Sequence, residues 1–148
     1  MFVGLIGLAF GNEPDLPFDA PKSFVTSPTG MGDEGSRLGE ITNEDRDFKI
    51  TYSVGGQFAR RTKRPVSQDD SVDAMFYYHE TEIDGIDVQI VGYRVRGDEN
   101  SFRIMVWVPE LETHFSVYVT GRAQVAIALN DFERFKLKNT KRESGPRD

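Results

Sequence analysis

Between residues 73 and 120, apolar and polar side chains alternate in four runs separated by turn-forming residues. Asp84-Gly85 lies between two runs rich in β-branched and aromatic residues. This is a strong short-range hairpin signal, because a tight two-residue turn needs residues that tolerate positive φ. Gly97-Asp98-Glu99-Asn100 marks a second turn, and Pro109 through Thr113 a third. The pattern predicts an antiparallel meander with strands at 73–83, 86–96, 101–109 and 114–120. An earlier run, Asp47–Val54, alternates Phe48, Ile50, Tyr52 and Val54 with Lys49, Thr51 and Ser53, and predicts one more half-buried strand. Gly55-Gly56 closes it, and Gln57-Phe58-Ala59 reads as the start of another piece.

The turns suggest registers: Ile83 opposite Ile86, Arg96 opposite Ser101, and Pro109 opposite His114. Together they gather Phe76, Tyr78, Val91, Tyr93, Val95, Phe102, Ile104, Val106, Val108, Phe115, Val117 and Val119 on one face, the expected core. The other face collects Met75, Tyr77, His79, Ile86, Val88, Ile90, Gly92, Arg94, Arg103, Met105, Trp107, His114, Ser116 and Tyr118, with His79, Ile90, Trp107 and Ser116 in one row. Because side chains alternate with a period of two, a slip of one residue in any hairpin exchanges these faces. The second face has two readings. It is a partly buried layer, covered by strand 47–54, the Phe58 segment or the N-terminal arm. Or it is an exposed surface on which Met75, Tyr77, His79, Arg103, Trp107 and Tyr118 meet a partner or ligand, since Trp and Tyr are rigid, amphipathic anchors.

After Gly121 the period changes. Val125, Ala128, Leu129, Phe132 and Phe135 recur every three to four residues, predicting a helix from about 122 to 136 with its apolar stripe on the core face. Asn130-Asp131 is a candidate break, and an edge strand at 125–129 is the alternative. The fold class expected is therefore α+β: an antiparallel meander of five or six strands with a C-terminal helix on one face, behind a long extended arm. A small β-sandwich or open barrel is the alternative.

Composition divides the 148 residues into three parts. Residues 1–46 hold four of the seven prolines and seven of the 14 glycines, with 8 acids against 3 bases. Pro14, Pro17, Pro21 and Pro28 exclude a long helix there, and the segment reads as an extended arm with Phe18, Phe24 and Val25 as apolar anchors. Residues 47–137 carry 13 of the 17 aromatics and read as the folded domain, and 138–148 as a basic tail. The chain opens with the apolar MFVGLIGLAF, too short to span a bilayer. Ala9-Phe10-Gly11 offers small residues at the −3 and −1 positions of a secretory cleavage site, although no Lys or Arg precedes the apolar run. The expectation is an extracytoplasmic protein, periplasmic or secreted, without a transmembrane span; the alternative is a cytoplasmic protein whose apolar N-terminal peptide docks on its own domain or on a partner.

Chemistry is constrained by what the chain lacks. With no cysteine and only 2 histidines, thiol catalysis and thiolate metal sites are excluded. A net charge of −6 argues against a nucleic-acid binder. No G-x-S-x-G, S-x-x-K or H-E-x-x-H motif occurs, and GMGDEG at 30–35 lacks the flanking strand and helix of a dinucleotide loop. Alternation separates His79 from Glu80 and Glu82. Glu110, Glu112 and His114 flank one turn and form the remaining candidate for a metal-dependent hydrolase. Arg60, Arg61, Lys63 and Arg64 form a basic loop that suits an anion or an acidic surface. No cofactor is expected.

The function expected is thus a non-enzymatic β-domain, an accessory or structural subunit. It would dock on a larger assembly through its arm and an aromatic sheet face. The alternative is a small-ligand or glycan-binding module that stacks its ligand on Tyr77, Trp107 and Tyr118.

Overall fold

The computed structural model describes residues 16–32, 35–56 and 72–138. Seven strands form one antiparallel sheet: β2 (Val25–Met31), β3 (Arg37–Thr42), β4 (Ile50–Val54), β5 (Val72–Ile83), β6 (Ile86–Val95), β7 (Ser101–Val108) and β8 (Thr113–Thr120). Their spatial order is β2-β3-β4-β8-β7-β6-β5, so two meanders meet where β4 pairs with β8. A short β1 (Phe18–Asp19) pairs with β9 (Lys136–Leu137) in a separate two-stranded ladder. Among the described residues one α-helix, α1 (Gly121–Glu133), follows β8 directly. This is the α+β meander with a C-terminal helix that the sequence pattern predicts.

Local signals place several of these elements. Asp84 and Gly85 both take positive φ, 54° and 79°, and hold Ile83 opposite Ile86 as expected. Gly121, at φ 84°, turns the chain out of β8 into α1, and its N–H donates to the Asn100 carbonyl at 2.8 Å. Val125, Ala128 and Phe132 are the buried stripe of the helix, which runs unbroken through 125–129, where a strand is the alternative expectation. Asn130-Asp131 does not interrupt it, because Asp131 turns inward to a partner. Its two carboxylate oxygens accept from Arg46 Nε and an Arg46 terminal nitrogen, each at 2.8 Å. Arg134 adds a longer contact of 3.4 Å. The carboxylate beside it holds the Arg46 guanidinium above its ordinary pKa. A buried carboxylate in bidentate contact fastens the β3–β4 connection to the last turn of α1.

Two expectations are corrected here. First, residues 16–46 do not lie ahead of the sheet as an arm. They supply β1, β2 and β3, which take the strand count from five or six to seven in the main sheet, plus the small ladder. Phe18 is only 3 % exposed and packs edge-on against Tyr52 at 5.3 Å and Phe115 at 4.9 Å. Phe24 is buried under the Arg46 guanidinium, 5.6 Å from its ring centre. Proline forbids helix but permits short strands and turns, and the aromatic anchors find their apolar surface in this chain's own core. Glycine assists at one point: the Tyr52 ring lies against Gly39, its cross-strand neighbour, so closely that a Cβ there would overlap the ring.

Second, the middle hairpin is one residue out of the expected register. Arg94 is the last residue of β6 paired with β7 and lies opposite Phe102, whereas the expected register sets Val95 there. The loop takes an extra residue because Gly97 adopts φ 83° and Asp98 organises the turn. Asp98 accepts from the Asn100 N–H at 3.0 Å and from the Ser101 hydroxyl at 2.7 Å. The Ser101 bond first, and then the Asn100 bond, hold its carboxyl below the usual carboxylate range. The third hairpin is also displaced, with Trp107 and not Pro109 opposite His114 around a 3-10 turn, Pro109–Leu111, but a shift of two residues keeps the expected faces. The one-residue slip of the middle hairpin therefore flips β6 and β5 relative to β7 and β8. Ile86, Val88 and Ile90 join Phe102, Ile104, Val106, Val108, Phe115, Val117 and Val119 in the main core under α1. Val91 and Tyr93 go to the opposite face and form a second buried cluster with Met105 and Trp107.

Candidate interaction surface

The face away from α1 is now defined by rows across the sheet. Glu80, Gln89, Trp107, His114 and Ser53 form one row; Tyr78, Val91, Met105, Ser116 and Thr51 the next; Met75, Tyr93, Arg103 and Tyr118 the third. The middle of this face is closed. Trp107 is 0 % exposed, and its indole lies 4.9 Å from the imidazole of His114 at a tilt of 43°. Burial, and secondarily the charge of Arg103, pushes the His114 pKa down to about 3, so the imidazole is neutral in the folded protein. Strand β4, expected as a cover for this face, instead extends the sheet in its own plane.

The exposed apolar surface lies at the rim. Met75, Phe76 and Tyr78 on β5 and Tyr118 on β8 all stand open, Tyr118 at 59 %. The Arg103 guanidinium sits over the Tyr118 ring, 5.4 Å from its centre, and its Nε donates to the Ser116 hydroxyl at 3.3 Å. Among the described residues, β5 is the outermost strand at this end of the sheet. Its pairing with β6 shifts twice, between Val72 and Ala74 and between Met75 and Tyr77. The second shift is a bulge at Phe76, whose half-exposed ring covers Gly92 and meets Phe102 edge-on at 5.1 Å.

The slipped register and the bulge together separate the residues expected to share one surface. Met75, Arg103, Trp107 and Tyr118 stay on the face away from α1. Tyr77 and His79 move to the opposite face, in register with Gly92 and Ile90 of the core side. His79 and His114 thus lie on opposite faces. A stacking platform of Tyr77, Trp107 and Tyr118 is not formed, since Trp107 is enclosed and Tyr77 and Tyr118 face apart. Of the arm anchors, Phe18 and Phe24 are internal and Val25 alone is exposed. Arg60, Arg61, Lys63 and Arg64 lie outside the described residues, as do the apolar N-terminus and Phe58.

Glu110, Glu112 and His114 do not come together as ligands. Glu110 is exposed on the 3-10 turn, while His114 is buried against Trp107. Among the described residues no group of three or more His, Asp or Glu side chains could hold a metal ion. No helix among them is long and apolar enough to cross a membrane. Comparison with protein-family models, curated proteins and solved structures finds no match.

Sequence reasoning misses the edge of β5 as a surface in its own right. The expected middle register assigns Phe76 and Tyr78 to the core. The signal that points elsewhere is the run AMFYYHE, whose unbroken apolar stretch from 74 to 78 does not alternate and so indicates a bulge.

Proposed function

We propose that this chain is a non-enzymatic β-domain that serves as an accessory or structural subunit of a larger extracytoplasmic assembly, docking through the β5 edge and the adjacent Tyr118 rim. The observation that carries this reading is the exposure of Met75, Phe76 and Tyr78 on a 12-residue strand at the end of the sheet. A long edge strand with open apolar side chains is a pairing surface, and proteins that stand alone blunt such edges. Tyr118, held by Arg103, adds a rigid aromatic contact beside it. The extracytoplasmic part of the reading rests on the apolar N-terminus and its small-residue cleavage pattern.

The test uses the full chain expressed in its native cell. Envelope and cytosolic extracts are separated by size exclusion, comparing the wild type with Met75→Ser/Tyr78→Ser and with Tyr118→Ser. The wild type is expected in the envelope fraction at a mass well above the monomer. The double variant is expected at monomer mass with an unchanged circular dichroism spectrum. A wild-type chain that elutes as a monomer, or a double variant that stays in the complex, overturns the reading.

A further inference from the structure

We propose that the end of β5, Glu80 to Ile83, accepts an extended basic segment of a partner protein as an additional antiparallel strand. This rests on the docking reading above and specifies the chemistry of the partner.

The two ends of the sheet differ. At the β2 end, Pro28 lacks an N–H and the pairing with β3 is irregular between Pro28 and Gly30, so that edge is poorly suited to another strand. At the β5 end the irregularities are confined to the first half. From Tyr77 to Ile83 the pairing with β6 runs without a shift, and the backbone is regular enough to be copied by a further strand. An outermost strand directs half of its N–H and C=O groups away from its neighbour, and these are the groups an added strand uses.

Charge selects the occupant. Between Met75 and Val88 there are four acids, Glu80, Glu82, Asp84 and Asp87, and no Lys or Arg. Glu80 and Glu82 share one face of β5, and Glu82 lies directly opposite Asp87. Like charges in facing positions cost stability, and neither Glu82 nor Asp87 makes an ion pair among the described residues. The Tyr78 hydroxyl donates to the Glu80 carboxylate and orients it. Glu80, Glu82 and Asp87 line an open groove of about 340 Å³ with Thr81, Val88 and Gln89. A strand with Lys or Arg at alternate positions would set its cations against Glu80 and Glu82 and present its other face beside Thr81 and Ile83. A second copy of this chain paired through the same strand is the wrong occupant, because it would set Glu80 and Glu82 against their own equivalents.

The experiment adds a short peptide of alternating lysine and valine to the isotopically labelled full chain and follows amide hydrogen exchange. Amides of Glu80–Ile83 that point away from β6 are expected to exchange about tenfold more slowly, as new strand hydrogen bonds require. A lysine–proline peptide of equal charge, which cannot complete the ladder, is expected to leave them unprotected. The charge-reversed variant Glu80→Lys/Glu82→Lys is expected to lose the lysine–valine peptide and accept a glutamate–valine one. Protection elsewhere, equal protection by the proline peptide, or dimerisation through β5 without peptide overturns the inference. If Met75→Ser/Tyr78→Ser releases the native assembly but Glu80→Lys/Glu82→Lys does not, docking stands and the basic strand falls. If the peptide pairs on β5 but no assembly exists, the strand-accepting edge stands and the accessory-subunit reading falls.

Discussion

Three residues illustrate how single side chains fix properties of the whole. Trp107 is a reasonable surface anchor by type, yet it is fully enclosed beside His114. Its fluorescence is therefore expected to be blue-shifted and almost unquenched by acrylamide, and strong quenching would contradict the placement. His114 carries a pH dependence. Its folded pKa, about 3, lies below the ordinary histidine value of 6.5, so the unfolded chain takes up the proton first. Stability from this group is intact above pH 6.5 and is lost progressively as pH falls toward 3, at about 1.4 kcal/mol per pH unit. Urea unfolding at pH 7 and pH 5 is expected to show a smaller acid penalty for His114→Gln than for the wild type; equal penalties would remove His114 as the source. Gly39 is the third. A methyl group there overlaps the Tyr52 ring, and Gly39→Ala is expected to cost about 2 kcal/mol by overpacking, measured by the same unfolding curves.

At the scale of elements, one buried ion pair links segments far apart in the chain. The Arg46–Asp131 pair ties the β3–β4 connection to the end of α1 across 85 positions in the chain, with Asp131 1 % exposed. Removing one partner leaves a buried charge, so Arg46→Ala is expected to destabilise by about 3 kcal/mol, with Arg46→Lys recovering only part because lysine cannot make the paired contact. Chemical denaturation of both variants checks this. At the β5–β6 and β8–α1 junctions the turn chemistry is legible in the sequence: Asp84-Gly85 and Gly121 take the positive φ that their turns require. At the β6–β7 junction it is legible only in kind. Gly97 and Asp98 announce a turn, but its length depends on which groups Asp98 accepts from, and nothing in the neighbouring sequence states that. One residue of loop length then decides which face the side chains of β5 and β6 occupy.

At the scale of the whole molecule, the core spans the chain from Phe18 to Leu137. Deleting residues 1–46 removes β1, β2 and β3 together with buried Phe18, Phe24 and Ile41, and is expected to leave an unfolded chain by near-ultraviolet circular dichroism. A native-like spectrum for the deletion would show that 47–137 folds by itself. Sequence alone determined what depends on neighbours in the chain: the alternation that makes strands, the glycine and aspartate turns, the three-to-four periodicity of α1, and the absence of thiol chemistry. Tertiary structure decided what depends on distant partners: that the proline-punctuated segment supplies strands, that Trp107 is enclosed, and that Met75, Phe76 and Tyr78 are exposed on the outermost of the described strands. Burial and strand order are set by contacts between residues far apart in the sequence, and a period-two pattern reports that a strand has two faces without saying which one the rest of the chain will cover.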